Sequence, residues 1–334
     1  MTSIIFYKNK PEEKNAIFEA IGNEIGIPSS AVEKDWWVVQ TLALIQTLEA
    51  APNIVFKGGT SLSKAWNIIS RFSEDIDLVL DKHFLGIEEC TTVKQVKQLR
   101  SATRKYIYNS FIPELQHKFH STGFTDVSVE LYEEEGKNLE PVQILIKYKT
   151  STPISSYTNP EVKIEIGSRS LLEPFTNREF SSLVGEHYSD KPFADTPITV
   201  PCVNPERTFL EKLFLLHEEF QKPEAEVRVD RLSRHLYDVE MLMRTEFAAI
   251  ALADKELYNE IITHRSIYTK ISSIDYNEHQ PKSLNPFPPD AVIENWKKDY
   301  QRMQEEMIYG DSLPFEQLLE KIKELKNRIN HLDW

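Results

Sequence analysis

The sequence predicts an α+β fold in two parts: a mixed sheet with helices over residues 1–200, followed by a helical bundle over residues 201–334. Two observations indicate this division. Short runs in which apolar and polar residues alternate, typical of half-buried strands, lie before residue 200. From Asn204-Pro205, a strong helix start, the spacing of apolar residues is helical almost to the last residue. We therefore expect two domains with a boundary near residue 200.

Helical and strand spacing predicts the elements of the first part. A helix covers residues 11–24, and the next begins at Ser30, where Glu33 completes a capping box. The later elements, in chain order, are a β-rich stretch at 53–57, a helical segment at 60–69, a loop at 71–74, a strand at 75–80, a long polar helix at 91–120, strands at 126–132 and 142–148, a loop at 151–160 and a strand at 162–166.

Composition narrows the class of protein and of metal site. With 334 residues, 40% hydrophobic and 27% charged, the chain is expected to be globular. No apolar run approaches the ~18 residues of a membrane span, and the first is too short for a signal peptide, so we expect a cytoplasmic protein without a membrane anchor. Cys90 and Cys202 form no C-x-x-C motif, which makes a zinc site unexpected. Any catalytic metal is therefore expected to be held by oxygen ligands, which suit Mg²⁺.

The most informative segment is FKGGTSLSKAWNIISRFSEDIDLVL, residues 56–80. Glycine has no Cβ, so Gly58 and Gly59 let the backbone come close to a ligand. Thr60 and Ser61 then open a helix, and free N–H groups at a helix start, with hydroxyls beside them, can cradle phosphate. We therefore predict that an NTP binds at these four residues.

Two aspartates end the same segment. On a strand, Asp75 and Asp77 project from one face, and carboxylates so arranged can hold two metal ions for in-line phosphoryl displacement. Alternating Asp and Ile can also mark only a solvated strand face, but the glycine turn upstream favours the metal site. Ser73 can bond a phosphate oxygen or cap the turn, and Arg71 can touch phosphate or stay solvated.

G-G-T-S followed by R-x-S-x-D-x-D resembles the nucleotidyltransferase superfamily that shares the palm of polymerase β. The longer pattern is similar to its AbiEii/AbiGii branch, the toxins of abortive-infection and type IV toxin–antitoxin systems. Three later blocks match that branch, and the resemblance spans roughly residues 32–243: VKIEIGSRS at 162–170, ERTFLEKLFLLH at 206–217 and RLSRHLYDVEML at 231–242. It implies a palm-like sheet, Mg²⁺ or Mn²⁺, an NTP substrate in a cleft completed by the helical domain, a tRNA 3′ end as acceptor and a cognate antitoxin.

The resemblance also implies three further site residues. Glu165 stands where palm enzymes commonly have a third aspartate, Lys212 is the key residue of the third block, and Asp238 is that of the fourth. From the residues alone, each has an ordinary alternative. Glu165 can lie on a solvated strand face, the Lys212 stem can lie along apolar surface with its head in water, and Asp238 can pair with Arg234 at i,i+4.

The net charge of −13 requires any RNA contact to be local, and it leaves acidic surface free for a basic partner. The densest basic run is KQVKQLRSATRK, residues 94–105, in which Lys97, Arg100 and Arg104 share one face of a helix. This strip can guide RNA by phosphate contacts, or it can be an ordinary solvated face. The residues left for packing are Val96, Leu99 and Ala102.

The sequence thus predicts a Mg²⁺-dependent nucleotidyltransferase that moves a nucleoside monophosphate from an NTP to an acceptor and releases pyrophosphate. Two rival interpretations stay open. The acceptor can be a protein side chain or a small cationic molecule such as an aminoglycoside, which an acidic surface suits. Alternatively, the chain can bind NTP and a protein partner without turnover, although intact Asp75, Asp77 and Lys212 argue against a degenerate enzyme.

Overall fold

A computed structural model describes residues 3–133, 141–153 and 159–334 of the chain. Its strands are β1 (Ile54–Lys57), β2 (Asp75–Leu80), β3 (Ser128–Tyr132), β4 (Val142–Lys147), β5 (Glu161–Gly167), β6 (Phe175–Phe180) and β7 (Ile198–Val203). Within the described ranges, these strands form one mixed sheet in the order β3-β4-β5-β2-β1-β7-β6. The predicted fold class, a mixed sheet with helices, is confirmed.

Helices account for most of the remaining described residues. They are α1 (Ser3–Lys8), α2 (Pro11–Ile25), α3 (Ser29–Ile45), α4 (Gly58–Lys64), α5 (Val93–Tyr106), α6 (Ile112–Thr122), α7 (Leu183–His187), α8 (Pro205–Gln221), α9 (Arg234–Met243), α10 (Glu246–Ala253), α11 (Lys255–Tyr268), α12 (Asp290–Glu306) and α13 (Phe315–Asn330). No helix in the described ranges is both long and apolar enough to cross a membrane.

The chain divides into two compact units. The first comprises Met1–Ala65, Ser73–Glu89 and Lys94–Cys202 and carries the sheet. The second comprises Trp66–Phe72, Cys90–Val93 and Val203–Trp334 and is built from helices α8 to α13.

In the first unit, the sheet has one buried face and one polar face. Strand β2 pairs with β5 in parallel and with β1 in antiparallel orientation, so it lies at the centre. Its Ile76 and Leu78, with Ile164 of β5, are almost completely buried. In the same unit, α3 packs against β5 and α6 packs against β3. Because side chains alternate along a strand, Asp75 and Asp77 point to the opposite, polar face.

In the second unit, residues 66–72 run as an irregular segment that is bound by the C-terminal part of the chain. The Phe72 N–H donates to Met307 O at 2.8 Å, and the Tyr309 N–H donates to Ser70 O at 3.1 Å. The Tyr237 hydroxyl accepts from the Ser70 N–H at 3.2 Å. These bonds hold the residue between them, Arg71, in a fixed position beside α9.

Three predicted elements need correction. The predicted capping box is wrong. Helix α3 begins at Ser29, and Glu33 is buried against the loop at residues 150–152. Its carboxylate accepts there from the Ser151 N–H at 2.7 Å and from two threonine hydroxyls. The helical segment predicted at 60–69 begins at Gly58 and ends at Lys64. The long helix predicted at 91–120 consists of α5 and α6, which are joined by a π-helical segment at Ile107–Phe111. Residues 154–158 of the predicted loop lie outside the described ranges.

Candidate active site

The polar face of the sheet carries a row of charged side chains across its central strands. Asp77 of β2 lies opposite Glu165 of β5, and Asp75 lies opposite Lys163. On the other side of β2, Asp77 lies opposite Lys57 of β1. Residues paired across neighbouring strands share a face, so the predicted carboxylates stand side by side with two lysines among them.

The ammonium of Lys163 lies between two of the carboxylates. Its Nζ is 3.4 Å from Asp75 Oδ2 and 3.1 Å from Glu165 Oε1. Burial alone lowers the pKa of Lys163, but the charges of Asp75 and Glu165 outweigh it and raise the pKa above its usual range. Gln143 of β4 donates to Glu165 Oε1 at 2.9 Å and fixes the other side of that carboxylate. The polar strand face predicted from the sequence therefore carries a cluster of charged side chains that contact one another.

The carboxylate oxygens of this cluster are of the type that binds a divalent ion, but they are not arranged as a site of three ligands. Among the described residues, no three His, Cys, Asp or Glu side chains stand close enough together to hold a metal. Asp75 and Glu165 instead converge on an ammonium, which marks a position that the surrounding oxygens favour for positive charge. Carboxylate oxygens are the ligands that Mg²⁺ takes. The donor set thus suits a hard cation, with Asp75, Asp77 and Glu165 as its candidate ligands.

Gly58 is required by the position of Asp77. Its φ is +80°, a left-handed conformation that side chains disfavour. A Cβ at this position would lie 1.9 Å from Asp77 Oδ2. The first turn of α4, which also contains Gly59, therefore lies directly against the Asp77 carboxylate, and any larger residue would displace one or the other.

The hydroxyls of Thr60 and Ser73 serve the fold. Thr60 Oγ1 donates to Asp75 O at 2.5 Å and lies 2.9 Å from Ser73 Oγ. Thr60 and Ser61 are both almost fully buried. The threonine thus ties α4 to the start of β2. A phosphate bound at this turn would meet backbone N–H groups, because the side chains of Thr60 and Ser61 are buried in the protein.

The second unit holds a buried cluster around Asp238 of α9. Arg71 makes two parallel bonds to this carboxylate, from Nε at 2.7 Å and from Nη2 at 2.8 Å. Lys212 of α8 places its Nζ 2.7 Å from Asp238 Oδ2 and 3.4 Å from His235 Nδ1. The side chains of Arg71, Asp238 and Lys212 are 3%, 0% and 9% exposed, so the two cations and one anion form an almost solvent-free unit.

The protonation of this cluster follows from its charges. Burial alone would raise the pKa of Asp238, but Arg71 and Lys212 hold it well below its usual range. Burial is the main cause that lowers the pKa of Lys212, with Asp238 opposing it. Burial and the Lys212 charge also hold the pKa of His235 well below its usual range. A carboxylate so stabilised is a poor proton acceptor, so Asp238 is suited to orienting its two cations.

The predicted basic strip lies on α5 of the first unit. Lys97 is exposed, and Arg100 and Arg104 are half-buried. Arg104 Nη2 bonds Glu133 Oε1 at 2.7 Å, just beyond the end of β3. The packing stripe of the helix is Val96, Leu99 and Thr103, with Thr103 in place of the predicted Ala102.

The sequence model of the family described as nucleotidyl transferase AbiEii toxin, type IV TA system, matches residues 42–321. The chain belongs to the AbiEii family. It is therefore a nucleotidyltransferase toxin of a type IV toxin–antitoxin system, which implies an antitoxin partner. The family and the enzyme class predicted from the sequence are confirmed, and the match extends into helices of the C-terminal region that carry no motif.

Among solved structures, this AbiEii protein is similar to MenT4, nucleotidyltransferase toxin Rv2826c from Mycobacterium tuberculosis H37Rv. The two chains are 14% identical over 94% of this chain and 97% of that chain, with a TM-score of 0.45. This likeness is too distant to add to the family match. No curated sequence matches the chain.

Sequence patterns alone missed several members of the two clusters in this AbiEii protein. Lys57, whose Nζ donates to Ser170 Oγ at 2.8 Å, directly precedes the glycines, and Lys163 stands two residues before Glu165. Both positions could have been recognised by strand alternation once the pairing of β1, β2 and β5 was known. Gln143 and the pairing of Arg71 with Asp238 had no local signal, because their partners lie 22 and 167 residues away.

Proposed function

We propose that this toxin is a Mg²⁺-dependent enzyme that transfers a nucleoside monophosphate from an NTP to the 3′ end of a tRNA, in the cytoplasm, as part of an abortive-infection response. One observation supports the catalytic part most strongly. Asp75 and Glu165 converge on a positive charge, with Asp77 beside them on the strand that follows the glycine turn. Bound there, Mg²⁺ would neutralise phosphate charge and lower the pKa of a coordinated hydroxyl.

The residues of the chain divide the remaining tasks. Asp75, Asp77 and Glu165 would hold the metal, and backbone N–H groups at Gly58 and Gly59 would contact the outer phosphates. Lys212, oriented by Asp238, neutralises the triphosphate. The acceptor hydroxyl loses its proton to water as its oxygen forms a bond to the α-phosphorus. The bond between the α-phosphorus and the bridging oxygen breaks, and pyrophosphate leaves with that oxygen.

The acceptor is assigned to tRNA through the family resemblance and the basic strip. The strip of Lys97, Arg100 and Arg104 offers phosphate contacts on an otherwise acidic protein. One observation favours a second class of acceptor. The net charge of −13 suits a small cationic molecule or a basic protein.

The experiment that separates these acceptors uses each of the four NTPs, labelled at the α-phosphate, with Mg²⁺ and the purified toxin. Separate reactions receive deacylated tRNA, tRNA with an oxidised 3′ terminal ribose, a protein extract freed of nucleic acid, and an aminoglycoside. The proposal expects label in intact tRNA and none in oxidised tRNA, since oxidation removes the attacking hydroxyl. Label in the protein or aminoglycoside reaction, with none in tRNA, would replace the proposed acceptor.

A further inference from the structure

Lys163 occupies an unusual position for a surface lysine. It is half-buried on β5, with its ammonium held by Asp75 on the neighbouring strand and by Glu165 on its own strand. Lys147 of β4 lies on the same polar face and also pairs with a carboxylate, Glu130, at 2.6 Å, but that pair is about half exposed and lies outside the cluster. The two lysines are therefore a natural comparison.

The charge balance of the cluster explains why a cation is needed there. Asp75, Asp77 and Glu165 project from adjacent positions of two paired strands, and like charges so placed destabilise a sheet. Lys163 contacts two of them, Asp75 and Glu165, and its positive charge keeps these carboxylates close together. Lys57, next to Asp77, directs its ammonium to Ser170.

We propose that Lys163 is a resident counter-ion, which holds the acidic cluster together until a divalent ion enters and displaces its ammonium from Asp75 and Glu165. The proposal rests on the proposed function, because it takes these carboxylates as metal ligands. An ammonium within 3.4 Å of the same oxygens competes with a dication for them and repels it. The released ammonium carries its charge on a flexible stem at the edge of the site, where it can meet an incoming phosphate.

Two consequences follow. The wild-type toxin should bind divalent ions more weakly than a variant without the Lys163 charge. The Lys163 side chain, 33% exposed in the cluster, should become more accessible when metal binds, by up to about threefold if it is fully released.

The first test uses the unmodified protein. Brief acetylation of lysines is followed by mass spectrometry, with and without saturating Mg²⁺ or Mn²⁺, and no NTP is added. We expect metal to raise the modification rate of Lys163 about two- to threefold, as its exposure allows, and to leave that of Lys147 unchanged. An unchanged or slower rate at Lys163, in protein that titration calorimetry shows to bind the ion, would overturn the proposal.

The second test compares Lys163→Met with Lys147→Met. Methionine keeps the apolar stem and removes the charge. Calorimetric titration with Mn²⁺ should give binding about tenfold tighter for Lys163→Met, as expected for removing a unit charge ~5 Å from a dication in a water-like medium. Lys147→Met should bind as the wild type does. Equal or weaker binding by a folded Lys163→Met protein would contradict the proposal.

The outcomes separate this inference from the function on which it rests. If the wild type and Lys163→Met both fail to bind a divalent ion, the metal site itself is wrong. If the wild type binds the ion and Lys163 is neither exposed by it nor in competition with it, the metal site stands and the counter-ion role is rejected. If Lys163→Met does not fold, the acetylation experiment on the wild type decides alone.

Discussion

Lys212 and Arg71 share the carboxylate of Asp238, so the effect of replacing any of the three depends on which charges stay behind. All are nearly solvent-free, and the two bonds from Arg71 to Asp238 do not involve Lys212. Removing Lys212 therefore leaves a complete buried ion pair. Removing the carboxylate would leave two buried cations without an anion.

Lys212→Met is expected to abolish NTP use while changing the free energy of unfolding by less than about 1.5 kcal/mol. The methionine chain fills the same apolar space, and the cost of burying the ammonium disappears. Initial rates of transfer at several NTP concentrations, together with urea unfolding, check both parts. Lys212→Ala should be equally inactive.

Asp238→Asn provides the contrast for the same cluster. It should cost about 3–5 kcal/mol of stability, because Arg71 and Lys212 then lie buried without their counter-charge. Should Lys212→Met instead unfold the protein, with any folded remainder fully active, the lysine would be structural and its contact with triphosphate would be rejected.

At the scale of single residues, the sequence predicted which side chains share a strand face better than it predicted their contacts. Asp75 and Asp77 are recognisable from strand alternation, which also assigns Glu165 to a polar face. The partners of Asp238 were not predictable, because Arg71 lies in an irregular segment with no periodicity, 167 residues away. The Thr60 hydroxyl was expected to face a phosphate, yet it bonds Asp75 O. The direction of a side chain in the first turn of a short helix depends on residues of other elements, which local spacing does not reveal.

Among the elements, α5 carries the part of the proposed function most open to test. Its basic strip includes Arg104, which is bonded to Glu133, so reversing that charge would place two carboxylates against each other. Lys97 is exposed and Arg100 is half-buried on the same helix, so both can be changed with less effect on the fold.

The double variant Lys97→Glu/Arg100→Glu should transfer less to tRNA and show a salt dependence of tRNA binding that is shallower by roughly two units of slope, one for each lost phosphate contact. Filter binding at several salt concentrations measures this. The control is Lys298→Glu/Lys323→Glu on α12 and α13, which changes the net charge equally at exposed positions of the second unit. An identical slope in both variants would remove α5 from the RNA site.

Element boundaries were predicted well where periodicity is strong and poorly where packing decides them. The helix predicted at residues 11–24 is α2, and the strand at 75–80 is β2. The first turn of α4 was missed because glycines are poor helix formers, yet the approach of Asp77 requires glycine there. Glu33 was assigned to a local cap, but three donors of a distant loop satisfy it.

For the molecule as a whole, buried histidines of the second unit make the free energy of unfolding depend on pH. Burial, with the nearby His279, lowers the pKa of His217 to about 4, and its Nδ1 accepts from the Asn285 N–H. The unfolded chain takes up this proton below about pH 6.5, whereas the folded protein does so only near pH 4. Stability should therefore fall as the pH drops from 6.5 to 4, by an amount on the order of 3 kcal/mol from this residue.

Urea unfolding at pH 7 and at pH 4.5 checks this prediction. His217→Asn retains an acceptor but cannot take up a proton in this range, so its stability should fall less over the same interval. His235, whose pKa is also held low by burial, leaves part of the slope in place. A variant with the full wild-type slope would show that His217 is not the titrating group.

The central claim is that the carboxylates of β2 hold the divalent ion on which nucleotide transfer depends. The most direct measurement is transfer of label from the α-phosphate of an NTP to tRNA by the wild type, Asp75→Asn and Asp77→Asn, titrated with Mg²⁺ and repeated with chelator. Asparagine removes one carboxylate charge at similar volume and binds Mg²⁺ poorly. Both variants should keep the circular dichroism spectrum of the wild type and lose transfer at every Mg²⁺ concentration. Near-native, Mg²⁺-dependent transfer by either folded variant would contradict the claim.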